Sequence, residues 1–94
     1  MIFLFLLAVQ LQAQNPDSIF SRANKNYNLG SYEQAQEGYD SIVQLGLHSS
    51  ELYFNMGNAH YKLNRIAPSI LNYEKAHLLD PTNEDIQHNL RFAQ

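Results

Sequence analysis

Two hydrophobic patterns divide the chain. The first is an unbroken apolar run, Ile2 to Val9, inside a stretch (MIFLFLLAVQLQAQ) that holds no charged residue. The second is a mixed pattern that recurs at one fixed offset: Ile19-Phe20 aligns with Tyr53-Phe54, Asn24 with Asn58, Tyr27 with Tyr61, Tyr39 with Tyr73, and Leu45 with Leu79. Small positions keep the same register, Ala23 with Gly57 and Ala35 with Ser69. A period of about 34 residues, carrying both bulky and small positions, marks a stacked helical repeat. No stretch alternates apolar and polar residues for long enough to make a strand. The fold class is therefore all-α, with units at 16–49 and 50–83 and a partial third over 84–94.

Punctuation splits each unit into two helices. Pro16 suits a first helical turn, with Asn15 ahead of it as a cap, and Gly30 ends that helix. Ser31 then opens a second helix, with Gln34 placed to complete a capping box, and Gly46 closes it. In the next unit Ser49 or Ser50 is the cap, Asn64 replaces the turn glycine, Pro68 falls in a first turn, and Pro81 stops the helix after Asp80. Asn83-Glu84-Asp85 begins a fifth helix, with acids at the positive end of its dipole.

The leading apolar run has the length of a signal-peptide core and is well short of the roughly 20 residues a spanning helix needs. Leu11 and Ala13 are tolerable at the two positions that precede a cleavage site, where small residues are usual. Residues 1–13 are thus expected to be a signal peptide, with Gln14 first after cleavage, although no Lys or Arg follows Met1. The rival expectation is a buried N-terminal helix.

Composition narrows the function. Six basic residues against nine acidic ones give a net charge of −3, which argues against a nucleic-acid surface, since phosphate binding needs excess cations. The absence of cysteine removes disulfides, thiolate metal sites and cysteine nucleophiles. The four histidines show no paired ligand spacing; His48 with Glu51 and His77 with Asp80 are three apart, a spacing that common residues produce by chance. There is no phosphate loop and no nucleophile elbow. No catalytic residue, metal, cofactor or small-molecule substrate is expected. His60, on a core-type position, is expected to be a hydrogen-bonded structural histidine.

Ser50–Pro81 resembles a tetratricopeptide repeat (TPR): Gly57, Tyr73, Ala76 and Pro81 stand at consensus positions, with Tyr53, His60 and Ser69 as softer substitutes. The first unit is a divergent copy in which Ala23, Gly30, Ala35 and Tyr39 fit and Leu47 replaces the closing proline. The resemblance implies an antiparallel helix-hairpin solenoid of two repeats, with 84–94 a capping helix or the start of a third. Close helix approach requires the small residues Ala23, Ala35, Gly57, Ser69 and Ala76, and Tyr39, Tyr73, Leu45 and Leu79 are expected to fill the space between hairpins.

The same resemblance implies a concave groove. Its positions are Asp17, Phe20, Asn24, Tyr27 and Asn28, then Glu51, Phe54, Asn58, Tyr61 and Lys62, then Asp85, His88 and Phe92. Asparagine amides suit the backbone of an extended peptide, and aromatic rings offer apolar pockets. Against this, aromatics at helical spacing commonly fill cores, which sets a packing role beside a binding role for Phe20, Phe54 and Tyr27. The two-carboxylate clamp of some TPR domains is broken: Asn24 and Asn55 occupy matching places, but Phe20 and Asp85 stand where cations belong.

Tyr53–Ala93 is similar to the TPR proteins of the Bacteroides aerotolerance (Bat) operon, through Gly57-Asn58-Ala59-His60-Tyr61-Lys62-Leu63, the Ile66-led helix and Asn83-Glu84-Asp85-Ile86-Gln87-His88-Asn89-Leu90. Those proteins are exported or membrane-associated and typically continue into transmembrane helices. The resemblance implies an exported, periplasmic or envelope-associated adaptor that binds a partner protein or peptide, including membrane proteins of an envelope complex. The other reading is structural: Leu90 and Phe92, expected on an uncovered C-terminal end, would drive self-association.

Overall fold

The computed structural model describes residues 15–94, all of whose regular structure is helical. The expected signal peptide lies outside the described residues. Five helices follow in order: α1 (Pro16–Asn28), α2 (Tyr32–Gln44), α3 (Ser50–Lys62), α4 (Ile66–Leu79) and α5 (Glu84–Ala93). Helices α1 and α2 pack as one hairpin and α3 and α4 as the next; α3 also rests on α2, and α5 on α4. No helix among the described residues is long and apolar enough to cross a membrane.

Local chemistry sets these boundaries. Asn15, with an extended backbone, accepts from the amides of Asp17 (2.9 Å) and Ser18 (3.4 Å), so Pro16 costs no bond in the first turn. Ser49 and Asn83 cap α3 and α5 in the same way, through Leu52 and Ile86. The turns inside the two hairpins are copies of one another. Ser31 donates to the Asn26 carbonyl at 2.8 Å and Arg65 to that of His60 at 2.9 Å, each across a residue with positive φ: Gly30 at 81° and Asn64 at 60°. Asparagine is one of the few residues besides glycine that tolerates this conformation.

The expected capping box at Ser31 does not form. Its ψ of 67° departs from the 115–157° of the working caps, and its side chain makes no cap bond.

The core follows the register of the repeat. Ala23, Ala35, Ser69 and Ala76 are fully buried or nearly so, as are the rings of Tyr39 and Tyr73. Ser69 donates to the Gly57 carbonyl at 2.8 Å, tying α4 to α3 at their closest approach. A Cβ built on Gly57 would lie 2.5 Å from the Tyr73 ring. In the first hairpin the glycine is on the other helix: a Cβ on Gly38 would lie 2.9 Å from that of Ala23. Leu45 and Leu79 do not fill the space between hairpins; they are 47% and 55% exposed. One caps the end of α2 and the other is the last residue of α4, where the chain turns away.

Candidate functional site

The first helices of the hairpins, α1 and α3, lie side by side with α5, and their shared face carries two copies of one side-chain cluster. In the first copy, Tyr39 donates its hydroxyl to Asn24 Oδ1 at 2.6 Å, and Asn55 Nδ2 donates to the same oxygen at 3.2 Å. In the second, Tyr73 donates to Asn58 Oδ1 at 2.5 Å and Asn89 Nδ2 donates to it at 3.1 Å. Each member of the second cluster stands exactly one repeat after its counterpart in the first. Each cluster joins three helices: the tyrosine reaches across its own hairpin, and the second asparagine arrives from the next hairpin or from α5.

Burial explains why the tyrosines serve as donors. It is the main cause pushing the Tyr39 phenol up to about 12, with Tyr27 nearby adding to it. Burial likewise raises Tyr73, against the nearby polar side chains of Ser69 and Asn89, which lower it. Both hydroxyls keep their protons at any physiological pH and must donate. Asn24 and Asn58 answer with Oδ1, which fixes the amide so that Nδ2 remains over. Among the described residues, no hydrogen bond uses Nδ2 of Asn24 or Asn58, or Oδ1 of Asn55 or Asn89.

These amides line two adjoining clefts that share Tyr27 and Asn58 and together form one channel-like face, called the channel below. Asn24, Tyr27, Asn28, Tyr39, Asn55 and Asn58 line its first part. The second part shares Tyr27 and Asn58 and continues through Tyr61, Lys62, Tyr73, Asn89 and Phe92. Phe92 is 71% exposed, with Tyr61 at 5.9 Å on one side and His88 stacked at 6.5 Å on another.

The structure divides the residues that the sequence brings forward. Asn24, Tyr27, Asn58, Tyr61 and Lys62 come together in the channel. Phe20 and Phe54 do not line it: their half-buried rings lie against Tyr39 (5.9 Å) and Tyr73 (5.8 Å) and pack on the core. What they still expose faces two separate clefts near the helix N-termini, beside Asp17 and Glu51 for Phe20 and beside Glu51 and Asp85 for Phe54. His88 stands outside the channel and backs Phe92. Phe92 is uncovered, as expected, on the side where it borders the channel, whereas Leu90 is half-covered.

Asn89, Tyr39 and Tyr73 belong to the channel although the sequence reading gives them no binding role, and with them stands Asn55, which it brings forward only as part of the broken clamp. The signal is present, for Asn55 and Asn89 are separated by one repeat period like every other repeated pair.

His60 departs from expectation. Its Nδ1 is buried without a hydrogen-bond partner, as is Oε1 of Gln36. Burial first, and then the Arg65 charge, hold its pKa below the ordinary value, against the opposing pull of Glu33 and Asp40. His48 meets the Tyr53 hydroxyl and stacks on its ring. Among the described residues no group of three or more His, Asp or Glu side chains is placed to hold a metal.

Residues 50–83, which span α3 and α4, match the family model of the tetratricopeptide repeat. With five helices in successive antiparallel hairpins, the described chain is an all-α solenoid of the tetratricopeptide type. Repeats of this kind are scaffolds for protein–protein interaction. No curated protein matches the chain.

Proposed function

We propose that this protein is an exported adaptor that holds an extended segment of a partner protein in the channel across α1, α3 and α5. The observation that carries the reading is the pair of Tyr–Asn–Asn clusters. Each leaves one amide donor and one amide acceptor uncommitted, which is what a peptide backbone in extended form requires. Tyr27, Tyr61 and Phe92 supply apolar walls between these polar points, and side-chain amides already fixed by internal bonds lose little freedom on binding.

Export is proposed from the uncharged apolar run Ile2–Val9 with Leu11 and Ala13 behind it. A place in a cell-envelope complex linked to aerotolerance is proposed from the resemblance of Tyr53–Ala93 to the Bat proteins. The test is a photo-crosslinking residue at Tyr61 in cells that export the protein, with a control at Glu74 on the exposed side of α4. One dominant partner captured only from Tyr61 is the expected result. Equal capture from both positions would overturn the groove reading.

A further inference from the structure

The first helices repeat a second pattern beside the asparagine clusters. Asp17, Glu51 and Asp85 follow one another at the repeat period, each in the first turn of its helix, and Phe20 and Phe54 stand one turn further along α1 and α3. Residues so spaced on a helix share a face. The result is two copies of one cleft, of about 320 and 420 Å³, with Glu51 lining both. In the first, Phe20 and Leu52 make an apolar wall between Asp17 and Glu51. In the second, Phe54 and Ile86 do the same between Glu51 and Asp85.

Attraction to the helix dipole accounts for an acid in a first turn, but it calls for no ring beside the acid. Neither cleft is lined by Lys or Arg, and the one ion pair among the described residues joins Arg65 to Glu33. Three carboxylates therefore border two apolar walls with no cation of the chain to neutralise them. Their complement is a long cationic side chain, whose methylene stem covers an aromatic ring while its head reaches a carboxylate. The second cleft adjoins the channel at Asn55, which lines both. Lys62, the cation of the channel, stands at the far end of α3 from Glu51.

The copies also set a period. Clefts and asparagine clusters recur together from one first helix to the next, about 9 Å away. A β-strand turns the same side inward about every 6.6 Å, out of step with that spacing. A polyproline-II chain does so about every three residues, or about 9 Å.

We propose that the segment held in the channel is basic and of polyproline-II form, with a Lys or Arg at every third position that enters these clefts, lies on Phe20 or Phe54, and reaches Asp17, Glu51 and Asp85. This rests on the peptide-binding reading of the channel.

The test is fluorescence anisotropy with capped, labelled peptides and the full chain. Gly-Arg-Ala-Pro-Arg-Ala-Pro-Gly is expected to bind at low ionic strength. Its isomer Gly-Arg-Pro-Arg-Ala-Ala-Pro-Gly, with the arginines two apart, is expected to bind more weakly, and the counterpart with Glu for Arg not at all. Glu51→Gln, at the position shared by both clefts, is expected to weaken binding of the first peptide about fivefold, a difference that high salt removes. Glu74→Gln, on the exposed side of α4, carries the same charge change and is expected to alter binding less than about twofold. The proposal is overturned if the first peptide does not bind, if the isomer binds as well, or if the two glutamine variants weaken binding equally. Tyr61→Ala, with helicity checked by circular dichroism, reads the channel separately and is expected to weaken binding too. A response to Glu51→Gln without one to Tyr61→Ala would support the clefts and overturn the channel reading instead.

Discussion

The Tyr73 hydroxyl donates to Asn58 Oδ1 at 2.5 Å, and one repeat earlier Tyr39 makes the same bond to Asn24 at 2.6 Å. One bond thus does two things in each hairpin: it satisfies a buried phenol and it turns an asparagine amide outward. Tyr73→Phe removes the donor while keeping the ring. The expected cost is about 0.5–1.5 kcal/mol, because Asn58 retains Asn89 as a donor. Partner capture from Tyr61 is expected to weaken more than the loss of stability explains. Denaturant unfolding and crosslinking yield, measured together, check this; a variant with unchanged capture would show that the amide orientation is immaterial to binding.

Gly57 lies against the Tyr73 ring, which is 3% exposed and held by its bond to Asn58. The ring has no easy escape from an added methyl group. Gly57→Ala is therefore expected to destabilise by about 1–3 kcal/mol through overpacking, despite alanine's better helix propensity. A thermal melt at or above that of the parent would contradict the packing.

Much of the fold is legible in the sequence because spacing, caps and turn residues all report local geometry. The repeat register, Asn15 before Pro16, and Asn64 in place of a glycine each locate a boundary without knowledge of tertiary contacts. What is not legible depends on distances between helices. Ser31 has the right identity for a cap, but its backbone is set by the turn that closes onto Asn26. Gly38 is an ordinary mid-helix residue until Ala23 is seen beneath it. The site is half readable: Asn24 and Asn58 stand out as mid-helix asparagines, whereas their bonds to Asn55 and Asn89 cross between helices. Phe20 and Phe54 occupy groove positions in the repeat, yet packing against Tyr39 and Tyr73 claims much of each ring.

His60 makes stability depend on pH. In the folded chain burial and Arg65 lower its pKa below the ordinary 6.5, whereas in the unfolded chain it titrates near that value. The unfolded state therefore takes up a proton first on acidification. This contribution to stability is complete above pH 6.5 and is lost as pH falls towards the folded value. His60→Asn, matching Asn26 in the first hairpin, removes it. Between about pH 7.5 and about pH 5, the melting temperature of the variant is expected to fall less than that of the parent. Equal falls would show that His60 is as well accommodated charged as neutral.

Arg65 grips both carboxylate oxygens of Glu33 at 2.9 Å, linking the two hairpins. The side chains are 43% and 52% exposed, so solvent screens the pair. Glu33→Gln is expected to cost no more than about 1 kcal/mol, with the difference vanishing in high salt. A larger, salt-insensitive loss in denaturant unfolding would mean that this link, rather than the buried stripe beneath it, holds the hairpins together.

The central claim is that one extended segment crosses α1, α3 and α5 in turn. Photo-crosslinking residues placed singly at Tyr27, Tyr61 and Phe92, with the captured positions mapped on the partner by mass spectrometry, test it most directly. Helices about 9 Å apart and a rise of about 3.3 Å per extended residue predict captured sites in consecutive order, about three residues apart. Captured sites scattered over distant parts of the partner's sequence would contradict an extended ligand and point to a folded surface docking across the array.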